Sequence, residues 1–214
     1  MSVVIPDVAG LVREYRAKYP GGYLDDRRQD GPYLAAALTE ASLREPDRAR
    51  LRGLVGLAYG SPGPQPGFSS LLSTREGSLR AARTLTYLLY GPGGSGQITR
   101  RLDECIARDG AYKLPRVGEA IMVKALAVTC PERWIPCFVA DGTPDKRTRR
   151  KKGKWTILNL LGVRERPGLS PGAAAVISND LIKEILAGHL PADDPWGMQD
   201  FTWWLLNLQD EQDG

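Results

Sequence analysis

Between Gly118 and Thr129 the chain is apolar nearly all the way round: Ala120, Ile121, Val123, Ala125, Leu126 and Val128 leave no continuous polar stripe at helical spacing. A helix of that kind has no face to give to water and must be covered on every side. The rest of the chain therefore has to supply a shell around it. Val8 to Tyr19 puts Val8, Leu11, Val12 and Tyr15 on one helical face, with the charges opposite. Gly77 to Tyr90 repeats Leu79, Ala82, Leu85, Leu88 and Leu89 at the same spacing, with Arg80 and Arg83 on the polar side. Tyr33 to Leu43, Arg48 to Ala58, Ile98 to Arg108, Trp155 to Leu161, Ala173 to Leu186 and Pro195 to Leu208 complete the set, bounded by glycine and proline. No window alternates apolar and polar residues long enough for a sheet. The expected fold is all-α, a multi-helix globular domain of roughly eight or nine helices.

A chain of 214 residues can bury a full core without disulfide or metal staples. The stretch from Gly60 to Gly67, with three prolines and three glycines, marks a surface loop. It divides a helical segment over 1–59, expected to belong to the same fold, from a helical core over 68–208 and an acidic tail over 209–214. Cys105, Cys130 and Cys137 are odd in number, sit among apolar neighbours and read as reduced core thiols. One histidine, His189, and no C-x-x-C pair leave no ligand supply for zinc, and no cofactor is expected. No apolar run has the length of a membrane span, and charges interrupt the first twenty residues, so a cytoplasmic location is expected.

Charge points to a partner. The net charge is only +4, but Lys146, Arg147, Arg149, Arg150, Lys151, Lys152 and Lys154 place seven cations within nine residues, while Asp210, Glu211 and Asp213 gather at the other end. A cationic loop of this density can neutralise several backbone phosphates, the sequence-independent part of nucleic-acid binding. Arg149 and Arg150 suit bidentate contact with phosphate or guanine. The glycine cluster from Gly91 to Gly96 is no nucleotide cradle, since no Gly-Lys-Ser/Thr follows and a helix precedes it.

The run Leu114-Pro115-Arg116-Val117-Gly118 is similar to the helix-hairpin-helix signature, with Arg116 where that pattern has its first glycine and Gly118 at the second. The resemblance implies that backbone N–H groups of this turn meet a DNA phosphate, with Arg116 and Gly118 as contacts. Helix-hairpin-helix DNA glycosylases carry an aspartate at about the place of Asp141, and the lysine of their lyase-type members is Ala120 here. That implies, as an alternative, a glycosylase-like enzyme without a Schiff base, acting on damaged or modified bases through Asp141.

A longer resemblance rests on Pro131-Glu132-Arg133-Trp134-Ile135-Pro136, Leu158 to Gly162, Asn179-Asp180, Asp194 to Met198 and Phe201 to Leu206. These segments resemble the helical region preceding the AAA+ motor in actinobacterial McrB-type modification-dependent restriction proteins. The likeness implies a non-catalytic module that recognises modified or unusual DNA, in duplex form, for restriction and phage defence. An AAA+ motor in cis or in trans and a nuclease subunit would be its partners. Reading a modified base would call for groove contact or a flipped base in an aromatic pocket, for which Trp134, Phe138 and Trp155 are candidates. A protein-interaction module with a helical docking face is the remaining alternative.

Overall fold

The computed structural model describes residues 7–22, 30–56, 65–137, 139–142, 151–163, 168–191 and 194–212. Among them the chain forms eleven α-helices and no β-strand. They are α1 (Val8–Lys18), α2 (Asp30–Ala37), α3 (Glu40–Arg44), α4 (Arg48–Gly56), α5 (Pro66–Leu71), α6 (Arg75–Tyr90), α7 (Ile98–Ile106), α8 (Glu119–Thr129), α9 (Lys154–Leu160), α10 (Pro171–Ala187) and α11 (Pro195–Gln212). A short 3-10 turn over Gly94–Gln97 leads into α7.

The apolar helix is α8, and every residue from Ala120 to Val128 is buried, Lys124 included. Helices α2, α4, α6 and α7 pack against it. Leu34 and Leu38, Leu51 and Leu54, and Leu85 and Leu88 share one apolar cluster with Ile121 and Leu126. A second cluster gathers α1, α9 and α11 with part of α10: Val12, Ile157, Leu158, Ile182, Phe201 and Trp204. There Tyr15 packs edge-on against Phe201, with centroids 5.6 Å apart. Its hydroxyl donates to Asp200 at 2.7 Å in the interior. The tryptophans of α11 thus serve packing: Trp204 is buried, and Trp196 and Trp203 are half-buried.

Two element boundaries differ from the sequence expectation. Tyr33 to Leu43 does not run as one helix, because Thr39 takes an extended backbone and its hydroxyl accepts from Ser42 N–H at 3.2 Å, starting α3 afresh. At the end of the proline-rich stretch, Pro66 opens α5, where a proline's missing N–H costs nothing. Residues 60–64 of that stretch lie outside the described residues. So do Phe138, residues 143–150, and residues 213–214 of the tail.

Candidate functional site

The turn from Leu114 to Val117 closes through a Val117 N–H to Leu114 carbonyl bond of 3.2 Å. Arg116 sits in it at φ 57°, in the left-handed region that glycine usually occupies. The residue standing where the resemblance has a glycine therefore adopts the glycine conformation. Neighbours hold it there. The Lys113 ammonium donates to the Val117 carbonyl, and Gly67 of α5 packs so closely that a Cβ would fall 2.4 Å from the Arg116 carbonyl oxygen.

Gly118 is extended, and apart from its chain neighbours nothing among the described residues crowds the place where its Cβ would be. It begins α8 without a side-chain cap. Only one helix adjoins the turn directly, since residues 107–118 separate α7 from α8. The first residue of α8, Glu119, turns its carboxylate inward to accept from Ala140 N–H at 2.7 Å. Burial pushes its pKa up, and the Lys154 charge pulls it down. A carboxylate already complements this helix terminus, so Arg116 and not the α8 terminus is the group an external anion would meet.

Arg116 belongs to a wider cationic surface. Together with Arg80, Pro66, Ser70 and Thr74 it walls a cleft of about 580 Å³ between the turn, α5 and the start of α6, with Glu76 also on the wall. Beside it, Arg80, Arg83 and Lys113 line a hollow of about 230 Å³. Arg44, Arg48 and Arg75 line another of about 340 Å³. All three hollows border the solvent face of α6, whose exposed residues include Arg75, Arg80 and Arg83. Leu79, which the spacing places with the core leucines, lies on this outer face and is 46% exposed.

The ridge is ordered by local contacts. Arg83 lies over the Tyr112 ring, 5.8 Å from its centroid, and Tyr112 stacks on Tyr87 at 3.7 Å with planes 4° apart. Arg48 donates to the Ser73 carbonyl at 3.2 Å, and Arg44 pairs with Glu40 at 3.4 Å. Of this surface the sequence signalled only Arg116, Arg80 and Arg83. Arg44, Arg48, Arg75 and Lys113 join it through the packing of α3 on α6 and the return of the 111–116 loop alongside.

The basic stretch fares differently along its length. Lys146, Arg147, Arg149 and Arg150 lie outside the described residues. Lys151 is exposed, whereas Lys152 is half-buried and donates to Asn207 of α11 at 3.1 Å. Lys154, expected from the sequence as a phosphate contact, is not one. As the first residue of α9 it points inward with Trp155, Ile157 and Leu158, and its exposure is 0%. Its ammonium lies 3.4 Å from Asn179 Oδ1 and 5.5 Å from the Trp134 ring centroid. Burial lowers its pKa, against the opposing pull of Cys137, Glu119 and Asp180. Burial likewise raises that of Cys137.

Nor do the proposed pocket residues form one pocket. Trp155 is packed in the second cluster and Trp134 in the first, and Phe138 lies outside the described residues. Asp141 is exposed at a turn and lines none of the hollows above. All three cysteines are free thiols, and burial pushes Cys105 up to about 12. No group of three potential metal ligands occurs among the described residues, and no helix among them is long and apolar enough to cross a membrane. No family model, no curated protein and no solved structure matches the chain, so its function has to be argued from these residues.

Proposed function

We propose that this chain is a DNA-binding module that holds the phosphate backbone without acting on it chemically. The observation that carries the proposal is the arginine ridge of α6, where Arg75, Arg80 and Arg83 stand exposed between Arg44 and Arg48 on one side and Lys113 and Arg116 on the other. Arginine is the residue suited to phosphate because its planar guanidinium gives paired donors at fixed spacing. Cations on a rigid helix hold that spacing better than cations on a loop. The helix-hairpin-helix-like turn supports the same reading, since Arg116 takes the backbone conformation of the glycine it replaces and stands exposed. Lys151 and the loop before it would extend the contact.

Duplex affinity measured by fluorescence anisotropy across a salt series tests this. Arg80→Glu with Arg83→Glu should weaken binding and flatten the dependence of log affinity on log salt by about 0.9 for each phosphate that the variant no longer neutralises. An unchanged slope would remove the ridge from the interface. The narrower role, recognition of modified DNA in a restriction system with an AAA+ motor and a nuclease, rests on the resemblance of Pro131 to Pro136, Leu158 to Gly162 and Asp194 to Leu206. A preference for methylated over plain duplex, or co-purification with such a motor, is its test.

A further inference from the structure

A cavity of about 370 Å³ lies between the end of α6, the glycine turn after it, α7 and the end of α8. Ile98, Leu126 and Trp134 give it a buried apolar wall, which half-buried Leu89 extends. Tyr90 stands beside them at 45% exposure, its hydroxyl tied to the Leu38 carbonyl at 2.8 Å. The volume is at the small end of ligand sites, which run from about 300 to 1,000 Å³. It suits a single ring system.

The charges on this wall do not balance. Arg101 of α7 is only 4% exposed, and its terminal nitrogens donate to two neutral acceptors, the carbonyls of Gly91 at 3.1 Å and Gly94 at 2.9 Å. No carboxylate among the described residues pairs with it. Those nearest along α7 are engaged elsewhere: Asp103 accepts from Gly172 N–H and Ser170, and Glu104 from Ala111 N–H at 3.0 Å. Gly91 closes α6, so the negative end of that helix offsets about half a charge. The carbonyl end of α8 is already occupied, with the Arg133 and Trp134 N–H groups each 3.0 Å from the Cys130 carbonyl. What is left is a guanidinium charge in the interior without a counter-ion, an arrangement that costs stability.

Arg133 brings a second positive charge to the same cavity. It is half-buried, and its guanidinium reaches across to the carbonyl of exposed Ser95 at 3.4 Å. Glu132, the carboxylate on this wall, interacts with Lys183: burial lowers the pKa of Lys183, and Glu132 is first among the charges that pull it back up. An apolar floor thus adjoins a positive opening. An occupant that satisfies both carries a ring for the floor and one negative charge for the arginines.

We propose that this cavity binds a small aromatic carboxylate, its ring against Leu126 and Trp134 and its charge on the Arg133 guanidinium, with Arg101 as the buried counter-charge. Arg101 need not touch the ligand, because charge attraction acts across a low-dielectric wall. The site shares no lining residue with the three hollows of the arginine ridge and does not depend on the DNA-binding reading.

Calorimetric titration of the full chain with benzoate and 2-naphthoate, each beside its neutral amide, tests this. Each carboxylate should occupy one site and bind about tenfold or more tighter than its amide. Arg133→Gln should shrink that ratio. Cys130→Trp fills the cavity from the wall and Ser95→Trp fills it from an exposed position that the core does not need, and both should abolish binding. Arg80→Glu with Arg83→Glu should leave it intact. The site is overturned by any of four results: neither carboxylate binds, carboxylate and amide bind alike, Arg133→Gln leaves their ratio unchanged, or binding survives Ser95→Trp. Loss of binding with the ridge arginines would overturn it as well, by placing the carboxylate on α6.

Discussion

Arg116 is the only non-glycine residue with positive φ among the described residues. The left-handed conformation costs an L-residue about 1–2 kcal/mol, so the turn has to hold it against that preference. It does so through the Val117 to Leu114 hydrogen bond, the Lys113 contact and the face of Gly67. Arg116→Gly should relax the backbone and raise stability by up to about 1 kcal/mol, read as a higher urea midpoint. The same change should weaken duplex binding and lower the salt slope by about 1 if the guanidinium holds a phosphate. Gain in stability with no loss of affinity would mean that the strain serves packing alone. The pattern Leu114 to Gly118 made Arg116 visible in the sequence, although its conformation was not: a preference of this size yields when three neighbours fix the turn. Lys154 misled for the opposite reason. It closes a run of cations, but the period of α9 groups it with Trp155, Ile157 and Leu158, and that period outweighs its membership in the run.

At the scale of elements, long periodic segments were legible and short ones were not. Glu119–Thr129 follows directly from its apolar pattern, and so does Pro195–Gln212 as far as Leu208; past it the helix runs on through residues 209–212, which the sequence reading assigns to an acidic tail. α5 has only six residues, too few to show a period, and begins at a proline that reads as punctuation. The contact between α7 and α10 had no sequence signal at all. Asp103 of α7 caps α10 from outside, accepting from Gly172 N–H and from Ser170 Oγ, each at 2.7 Å. The helices approach so closely there that a Cβ on Gly172 would lie 2.3 Å from the Thr99 carbonyl oxygen. Losing a cap costs about 0.5–2 kcal/mol, and bonds to a charged acceptor lie at the upper end. Asp103→Ala should therefore lower stability by about 2 kcal/mol in urea denaturation. A loss much smaller than that would mean that the apolar contacts of α7 and α10 hold the pair without the cap. The arginine ridge was illegible for a similar reason: it is assembled from α3, α4, α6 and a loop, and no spacing along the chain encodes that juxtaposition.

At the scale of the molecule, the two apolar clusters meet around one buried ammonium. Lys154 begins α9, whose apolar side chains lie in the second cluster, and reaches the Trp134 ring of the first. Asn179 of α10 ties the same seam, accepting from Lys154 and from Ile135 N–H at 3.0 Å and donating to the Arg133 carbonyl at 3.0 Å. Desolvation is the largest influence on Lys154 and lowers its folded pKa below the ordinary 10.5. Below that folded value the folded state carries a charged group that it would hold more easily as the neutral amine. As pH rises from the lowered folded value toward 10.5, the unfolded chain keeps a proton that the folded chain has released, and this group's contribution to stability increases. Lys154→Met removes the burden and keeps most of the volume, while Asn179 retains its bond from Ile135. The variant should be more stable than the wild type at neutral pH, with an advantage that shrinks as the pH approaches 10.5. Its duplex affinity should be unchanged, because the side chain does not reach the surface. A wild type more stable than the variant at neutral pH would mean that the attraction of Glu119, Asp180 and Cys137 exceeds the desolvation, and that the seam is held by charge and not merely tolerant of it.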